Sequence, residues 1–141
     1  MTNRDMAQVG PLMAGKRGLV MGVANDRSIA WGLPACWPVT ARSLAFTYQG
    51  DAFGRRAVPL AKSVGSRSSS VATFSTSKSV DNAFAEIKTK WGSLDFVVHA
   101  LAFSDRRELS GRYADTTREN FTNTMVISCF SFTEVASARP P

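Results

Sequence analysis

The most constraining feature of the sequence is a short apolar run, residues 18–23, which starts at one glycine and has a second, Gly22, near its end. A run of this length and punctuation is typical of a buried strand rather than a helix. Residues 24–28 (Ala-Asn-Asp-Arg-Ser) favour a turn with an N-cap, and Ile29 begins a predicted helix. In this arrangement the turn's backbone amides can approach a phosphate group.

The same alternation of strand and helix continues along the chain. Residues 44–48 predict a second strand, which ends at Gln49 and Gly50. A helix with one apolar face is predicted from side chains that recur every three or four positions, at Val80, Phe84, Ile87 and Trp91. Ser79 is the expected N-cap of this helix.

Two later segments complete the pattern. Residues 94–103 are almost continuously apolar, which predicts a central parallel strand covered on both faces. Thr116 and Glu119 have the spacing of a capping box at the start of a last helix. The whole pattern predicts an α/β fold, a Rossmann-like doubly wound parallel sheet.

Composition limits the classes of function. A chain of 141 residues that is 44% apolar fits one domain with a real core. It contains no apolar run of the roughly 18 residues that a bilayer requires, and residues 1–10 lack the apolar centre of a signal peptide. We therefore expect a cytoplasmic protein without a membrane partner.

Neither a metal site nor a disulfide framework is indicated. Cys36 and Cys129 are far apart and belong to no ligand cluster, and His99 is the only histidine. We expect His99 to be a packed residue rather than a catalytic base. The net charge of +6 is dispersed apart from the pairs at 55–56 and 106–107, so a nucleic-acid partner is not expected either.

Taken alone, the glycine turn is weak evidence for a nucleotide site. Residues 22–30 do not match the G-x-G-x-x-G fingerprint. An ordinary strand-to-helix turn, with Asn25 and Asp26 as turn formers, explains the segment equally well.

Four longer strings, however, resemble a known family. Residues 15–32, 44–50, 95–105 and 111–121 closely resemble the bacterial enoyl-acyl-carrier-protein reductases, a divergent branch of the short-chain dehydrogenases and reductases. The turn in the form G-x5-S-I-A, from Gly22 to Ala30, separates this branch from ordinary short-chain dehydrogenases. The resemblance covers most of the chain and implies the amino-terminal half of such an enzyme.

The resemblance implies roles for individual residues. Gly22, Ser28 and Ile29 would cradle the pyrophosphate of NADH, Gln49 would lie by the adenosine ribose, and Leu101 would lie along the nicotinamide side. Each has a plainer alternative, because Ile29 and Leu101 would be apolar core in any such fold and Gln49 could be a surface turn residue.

The resemblance also implies a substrate-binding residue, a substrate carrier and an oligomeric state. Ser104 would lie near the acyl substrate. The family also implies a homotetramer and a substrate carried on acyl carrier protein.

Three segments depart from the family pattern. In residues 33–43, Pro34 and Pro38 interrupt the first helix, at roughly 3 kcal/mol apiece, so the helix should break near Gly32 to Leu33. Residues 67–78 lack the Asp-Val pair that the family places against adenine, and residues 137–141 abandon the helical pattern. Compensating shifts of reading frame in the gene explain the first two segments, a hypothesis that a verified nucleotide sequence can test.

The implied activity is the NADH-dependent reduction of trans-2-enoyl thioesters in fatty acid biosynthesis. The family uses a tyrosine and a lysine seven positions apart, whereas Tyr48 is followed by Arg55 and Tyr113 by Asn120. We therefore assign no catalytic residue and expect this chain to be inactive alone. Another short-chain dehydrogenase, or a poorly folded non-catalytic fragment, remains the alternative.

Overall fold

A computed structural model describes residues 14–35, 42–48, 50–63 and 77–138 of the chain. Gln49, most of the two unusual segments (36–41 and 67–76) and the last three residues lie outside this part. The helices and strands in chain order are β1 (Lys16–Met21), α1 (Ile29–Ala35), β2 (Arg42–Thr47), α2 (Gly50–Ser63), α3 (Ser77–Trp91), β3 (Phe96–His99), α4 (Arg118–Met125) and α5 (Ser131–Ser137). Short 3₁₀ turns lie at Arg106–Glu108 and Tyr113–Asp115, and a π-helical turn, Val126–Phe130, joins α4 to α5.

The three strands in the described part of the chain form a parallel sheet in the order β2-β1-β3. Gly18 in β1 pairs with Leu44 on one side and Phe96 on the other, and the register continues to the ends of the strands. At Gly18 the ring of Phe96 lies where a Cβ would be, since a Cβ built there would be 2.0 Å from the ring. Glycine therefore allows the aromatic ring to lie directly over the central strand.

Helices cover both faces of the sheet. On one face Val20 and Phe46 pack with side chains of α1 and α2, including Ala30, Ala57 and Ala61. On the other face Leu19 and Met21 pack with the buried stripe of α3 and with Val135 of α5. Burial of each large side chain in these clusters stabilises the fold by about 1.5–3 kcal/mol. The fold is the predicted doubly wound α/β sheet, with three strands described.

The apolar stripe of α3 is confirmed. Val80, Phe84 and Ile87 are all buried, and Trp91 is half-buried against the same cluster. The predicted N-cap is wrong, because the helix begins at Ser77 and therefore includes Ser79.

Two other boundaries differ from expectation. Helix α1 continues to Ala35, two residues past the predicted break, and Pro34 lies fully buried in its last turn. The predicted central strand at 94–103 is only four residues long. Strand β3 lies at the edge of the described sheet, and each of its residues is half-buried.

The capping box at Thr116 and Glu119 is displaced by one residue. Thr117 is the N-cap of α4, and its hydroxyl accepts a hydrogen bond from the Asn120 N–H at 3.2 Å. The reciprocal carboxylate is Glu108, which accepts from the Thr117 N–H at 3.0 Å and from its hydroxyl at 2.8 Å. Those two hydrogen bonds lower the pKa of Glu108.

Candidate functional site

The carboxyl ends of all three strands meet at Gly22. Its N–H donates to the carbonyl of Thr47 at the end of β2 (3.3 Å), and the Ala100 N–H, just past β3, donates to the carbonyl of Met21 (3.3 Å). Gly22 has φ +92°, and a methyl group there would lie 2.1 Å from the Ala100 carbonyl oxygen. Only glycine fits this conformation and this close approach of two backbones.

Ser28 fastens the turn that follows. Its hydroxyl accepts from the N–H of Ala24 (3.2 Å) and of Asn25 (3.1 Å) and donates to the Asn25 carbonyl. A hydroxyl has one donor and two acceptor positions, so all are in use. The Ser28 side chain therefore shapes the turn, and any contact with a ligand in this conformation comes from the backbone around it.

A cleft that is open to solvent lies directly against this turn. It is lined by residues 22–24, by residues 100–103 and by Tyr48, Phe53 and Ile127. The cleft therefore lies at the carboxyl edge of the sheet, where open α/β sheets bind their ligands.

Two of the predicted cofactor residues are placed informatively. Leu101 lines the cleft and also packs against the core of the α3 face. Ile29 is 83% exposed at the start of α1, so the alternative that it is core is wrong. Gln49, another of the five predicted cofactor residues, lies outside the described residues.

Ser104 lies beyond the cleft lining and is held by a buried amide. Its hydroxyl accepts from the Nδ2 of Asn120 at 3.1 Å, and the Asn120 Oδ1 accepts from the N–H of Asp105 at 2.8 Å. Asn120 is almost fully buried and connects the start of α4 to the segment after β3. Asn120 is not among the residues predicted from the sequence, where its only signal is an amide one turn into a predicted helix.

The π-helical turn makes a second attachment to the same segment. The Ser128 hydroxyl accepts from the N–H of Phe103 at 3.1 Å and lies 3.4 Å from the Phe103 carbonyl oxygen. One turn further on, the Ser131 hydroxyl lies 2.8 Å from Nε2 of His99. Both serines face the strand, so residues 100–103 are held in place from the helix side.

His99 is a packed residue, as expected. Its ring lies edge-on to Phe132, with 5.6 Å between centroids, and burial lowers its pKa below the usual value. Within the described ranges, no cluster of three or more histidine, cysteine, aspartate or glutamate side chains could hold a metal ion. No helix in the same ranges is long and apolar enough to cross a membrane.

Comparison with known proteins identifies relatives of this architecture. The chain is 58% identical over 125 residues to enoyl-(acyl-carrier-protein) reductase (NADH) 2 of Rhizobium meliloti, an alignment that covers 89% of this chain and 47% of the relative. It is 45% identical to the NADH reductase FabI of Rickettsia bellii, again over 89% of this chain and 48% of the relative. The chain thus spans about half the length of the curated relatives it matches.

Solved structures similar to this chain come from the same kind of enzyme as the sequence relatives. The enoyl-(acyl-carrier-protein) reductase of Anaplasma phagocytophilum, solved in complex with NAD, superposes with a TM-score of 0.85 and 48% identity, covering 93% of this chain and 50% of that one. FabI from Candidatus Liberibacter asiaticus gives a TM-score of 0.84 at 49% identity, covering 89% and 49% of the two chains. A family profile described as enoyl-(acyl carrier protein) reductase matches residues 22–141. The chain therefore belongs to the enoyl-(acyl carrier protein) reductase family.

Proposed function

We propose that this chain is the dinucleotide-binding half of an NADH-dependent enoyl-acyl-carrier-protein reductase. The observation that carries the proposal is the meeting of the three described strand ends at Gly22, whose missing side chain lets the Ala100 backbone close in beside the turn at the edge of the cleft. The relatives named for NADH, and the neighbour solved with NAD, share this half of the fold.

Each predicted residue has a distinct part in this proposal. Gly22 and the turn shaped by Ser28 are assigned to the pyrophosphate. The N–H groups of Gly22, Ala24 and Asn25 already donate within the protein, so the remaining amides of the turn would make the contact. The exposed side chain of Ile29 covers one side of the dinucleotide, and Leu101 forms the apolar wall beside the nicotinamide. Gln49 is assigned to the adenosine ribose on resemblance alone.

The residues of the cleft bind and orient the cofactor, and they exclude water from one of its sides. NADH, when bound, supplies the hydride that adds to the β-carbon of a trans-2-enoyl thioester, while a proton completes the α-carbon. Ser104 is proposed to lie near the acyl chain, and its hydroxyl is already fixed by Asn120.

Catalysis needs groups that the 141 residues do not contain. Stabilisation of the developing enolate requires a donor held at the reacting oxygen, and the Tyr-x6-Lys pair is absent from the sequence. We therefore expect no turnover of a crotonyl thioester by the isolated chain. Binding to acyl carrier protein, a cytoplasmic location and a homotetramer belong to the same proposal and rest on the family resemblance.

The proposal is tested by titrating the purified chain with NADH and following energy transfer from its tryptophans to the nicotinamide. We expect saturable binding, tighter for NADH than for NADPH. Ile29→Asp should abolish it, because the exposed side chain would place a carboxylate beside the pyrophosphate. Leu109→Asp is the matched control, since Leu109 is 70% exposed and lies after the 3₁₀ turn Arg106–Glu108, outside the glycine turn.

Two results would contradict the proposal. One is the absence of saturation up to about 1 mM NADH. A dissociation constant of about 1 mM corresponds to a binding free energy of only about 4 kcal/mol. The other is an equal loss of affinity in both variants, which would show that binding does not involve the turn.

A further inference from the structure

The segment after β3 leaves the hydrogen-bond ladder of the sheet as soon as the strand ends. The Ala100 N–H still donates to the Met21 carbonyl at 3.3 Å. Among the described residues, residues 101–103 make no backbone–backbone hydrogen bond. Backbone polar groups outside a ladder need a side chain or water as their partner. The position of this segment therefore depends on the side chains that contact it.

The Ser128 hydroxyl is such a partner. It accepts from the N–H of Phe103 at 3.1 Å and donates to the carbonyl oxygen of the same residue at 3.4 Å. A hydroxyl has one donor and two acceptor positions, so it can serve both groups at once. The far end of the segment is thereby attached to the π-helical turn through one half-buried side chain.

Ser131 attaches the near end of the segment. Its hydroxyl donates to the Ile127 carbonyl at 2.6 Å, so it has no proton to offer to His99. His99 must therefore donate from Nε2 across the 2.8 Å contact, which fixes the tautomer of its ring. Because His99 is the last residue of β3, two serines of one helical stretch hold the two ends of the segment.

The residues between these two attachments form one wall of the cleft. Ala100, Leu101 and Ala102 all line it. The sheet order β2-β1-β3 places this wall on one side of Gly22 and the end of β2 on the other side. A shift of the wall would therefore change one end of the cleft and leave the other end in place.

We propose that Ser128 is a positioning residue for the nicotinamide end of the cleft. Its hydroxyl holds Phe103 and so sets the distance between the wall and the nicotinamide ring. The inference rests on the proposed function, in which Leu101 lies beside the nicotinamide and the end of β2 lies by the adenosine. Small displacements matter here, because binding groups have to lie within about 0.5 Å of the productive geometry.

Two ligands distinguish positioning from a general effect on the fold. ADP-ribose contains the adenosine and the pyrophosphate of NADH but lacks the nicotinamide ring. Ser128→Ala should weaken NADH binding about 5- to 10-fold, as expected for the loss of one net hydrogen bond, and should change ADP-ribose binding less than about 2-fold. Isothermal titration calorimetry on the purified protein measures both affinities.

Cys129→Ala is the matched control. Cys129 is exposed and lies in the same π-helical turn, so its replacement should change neither affinity. Alanine is the strongest helix former, and both variants should therefore keep the helical circular dichroism of the unsubstituted protein.

Amide hydrogen exchange tests the attachment without any ligand. The Phe103 N–H should exchange at least about 10-fold faster in Ser128→Ala than in the unsubstituted protein, because its hydrogen-bond partner is gone. Cys129→Ala should leave that rate unchanged.

Three results would overturn the inference: an unchanged affinity for NADH in Ser128→Ala, an equal loss of affinity for NADH and ADP-ribose, or an unchanged exchange rate at Phe103. The second result would make Ser128 a residue that stabilises the fold in general. An unsubstituted protein that binds neither ligand contradicts the proposed function, and the exchange rate at Phe103 then decides by itself whether Ser128 holds the wall.

Discussion

Gly22→Ala tests the packing at the centre of the candidate site. At φ +92° an alanine is strained by about 1–2 kcal/mol. Its methyl group would also lie 2.1 Å from the Ala100 oxygen and 2.8 Å from the Ala100 carbonyl carbon. Because both atoms belong to the backbone, the end of β3 must move, at a further cost of about 1–3 kcal/mol.

Urea denaturation followed by far-ultraviolet circular dichroism measures the effect, with Gly32→Ala as the matched control. Nothing lies within 4 Å of a Cβ at Gly32, which is in the middle of α1, so that change should stabilise the chain by up to about 1 kcal/mol. We expect the two variants to differ by about 2–6 kcal/mol. A Gly22→Ala chain within about 1 kcal/mol of the unsubstituted protein would show that β3 does not press on the turn as described.

Three other substitutions test separate parts of the structure. The Thr47 hydroxyl is buried without a hydrogen-bond partner among the described residues, so Thr47→Val should raise the free energy of unfolding by about 1 kcal/mol, and a lower urea midpoint would contradict this. Ser28→Ala removes three hydrogen bonds from the turn and should cost about 1 kcal/mol and weaken NADH binding, whereas Ser28→Thr should retain much of both. The Arg107 guanidinium lowers the pKa of Asp105 to about 2 from 3.8. The stability that the ionised Asp105 carboxylate contributes is therefore present above about pH 4 and is lost as the pH falls towards 2. In Asp105→Asn the decline of the urea midpoint over that interval should be shallower.

Local patterns predicted the elements that depend on nearby residues. The apolar stripe of α3 and the glycine turn after β1 are set by spacing within a few residues, and both are present in the structure. Resemblance then added what spacing could not, namely that the turn belongs to a particular family of reductases.

The errors occurred where distant residues decide the outcome. The cap of α4 moved to Thr117 because Glu108, nine positions away, supplies the carboxylate. Ile29 was open to interpretation as core, since the direction in which a helix face points depends on how α1 packs against the sheet. Asn120 and Ser128 were missed because their partners, the segment after β3, lie more than ten residues earlier in the chain.

The contact between Gly18 and Phe96 has a consequence for how this half of the fold can vary. The aromatic ring occupies the volume of the missing side chain, so the two positions share one space across a sequence separation of 78 residues. A larger residue at position 18 requires a smaller one at position 96. Each single change should therefore destabilise the fold more than the two changes together. Among homologues the two positions should therefore covary as an exchange of volume between neighbouring strands.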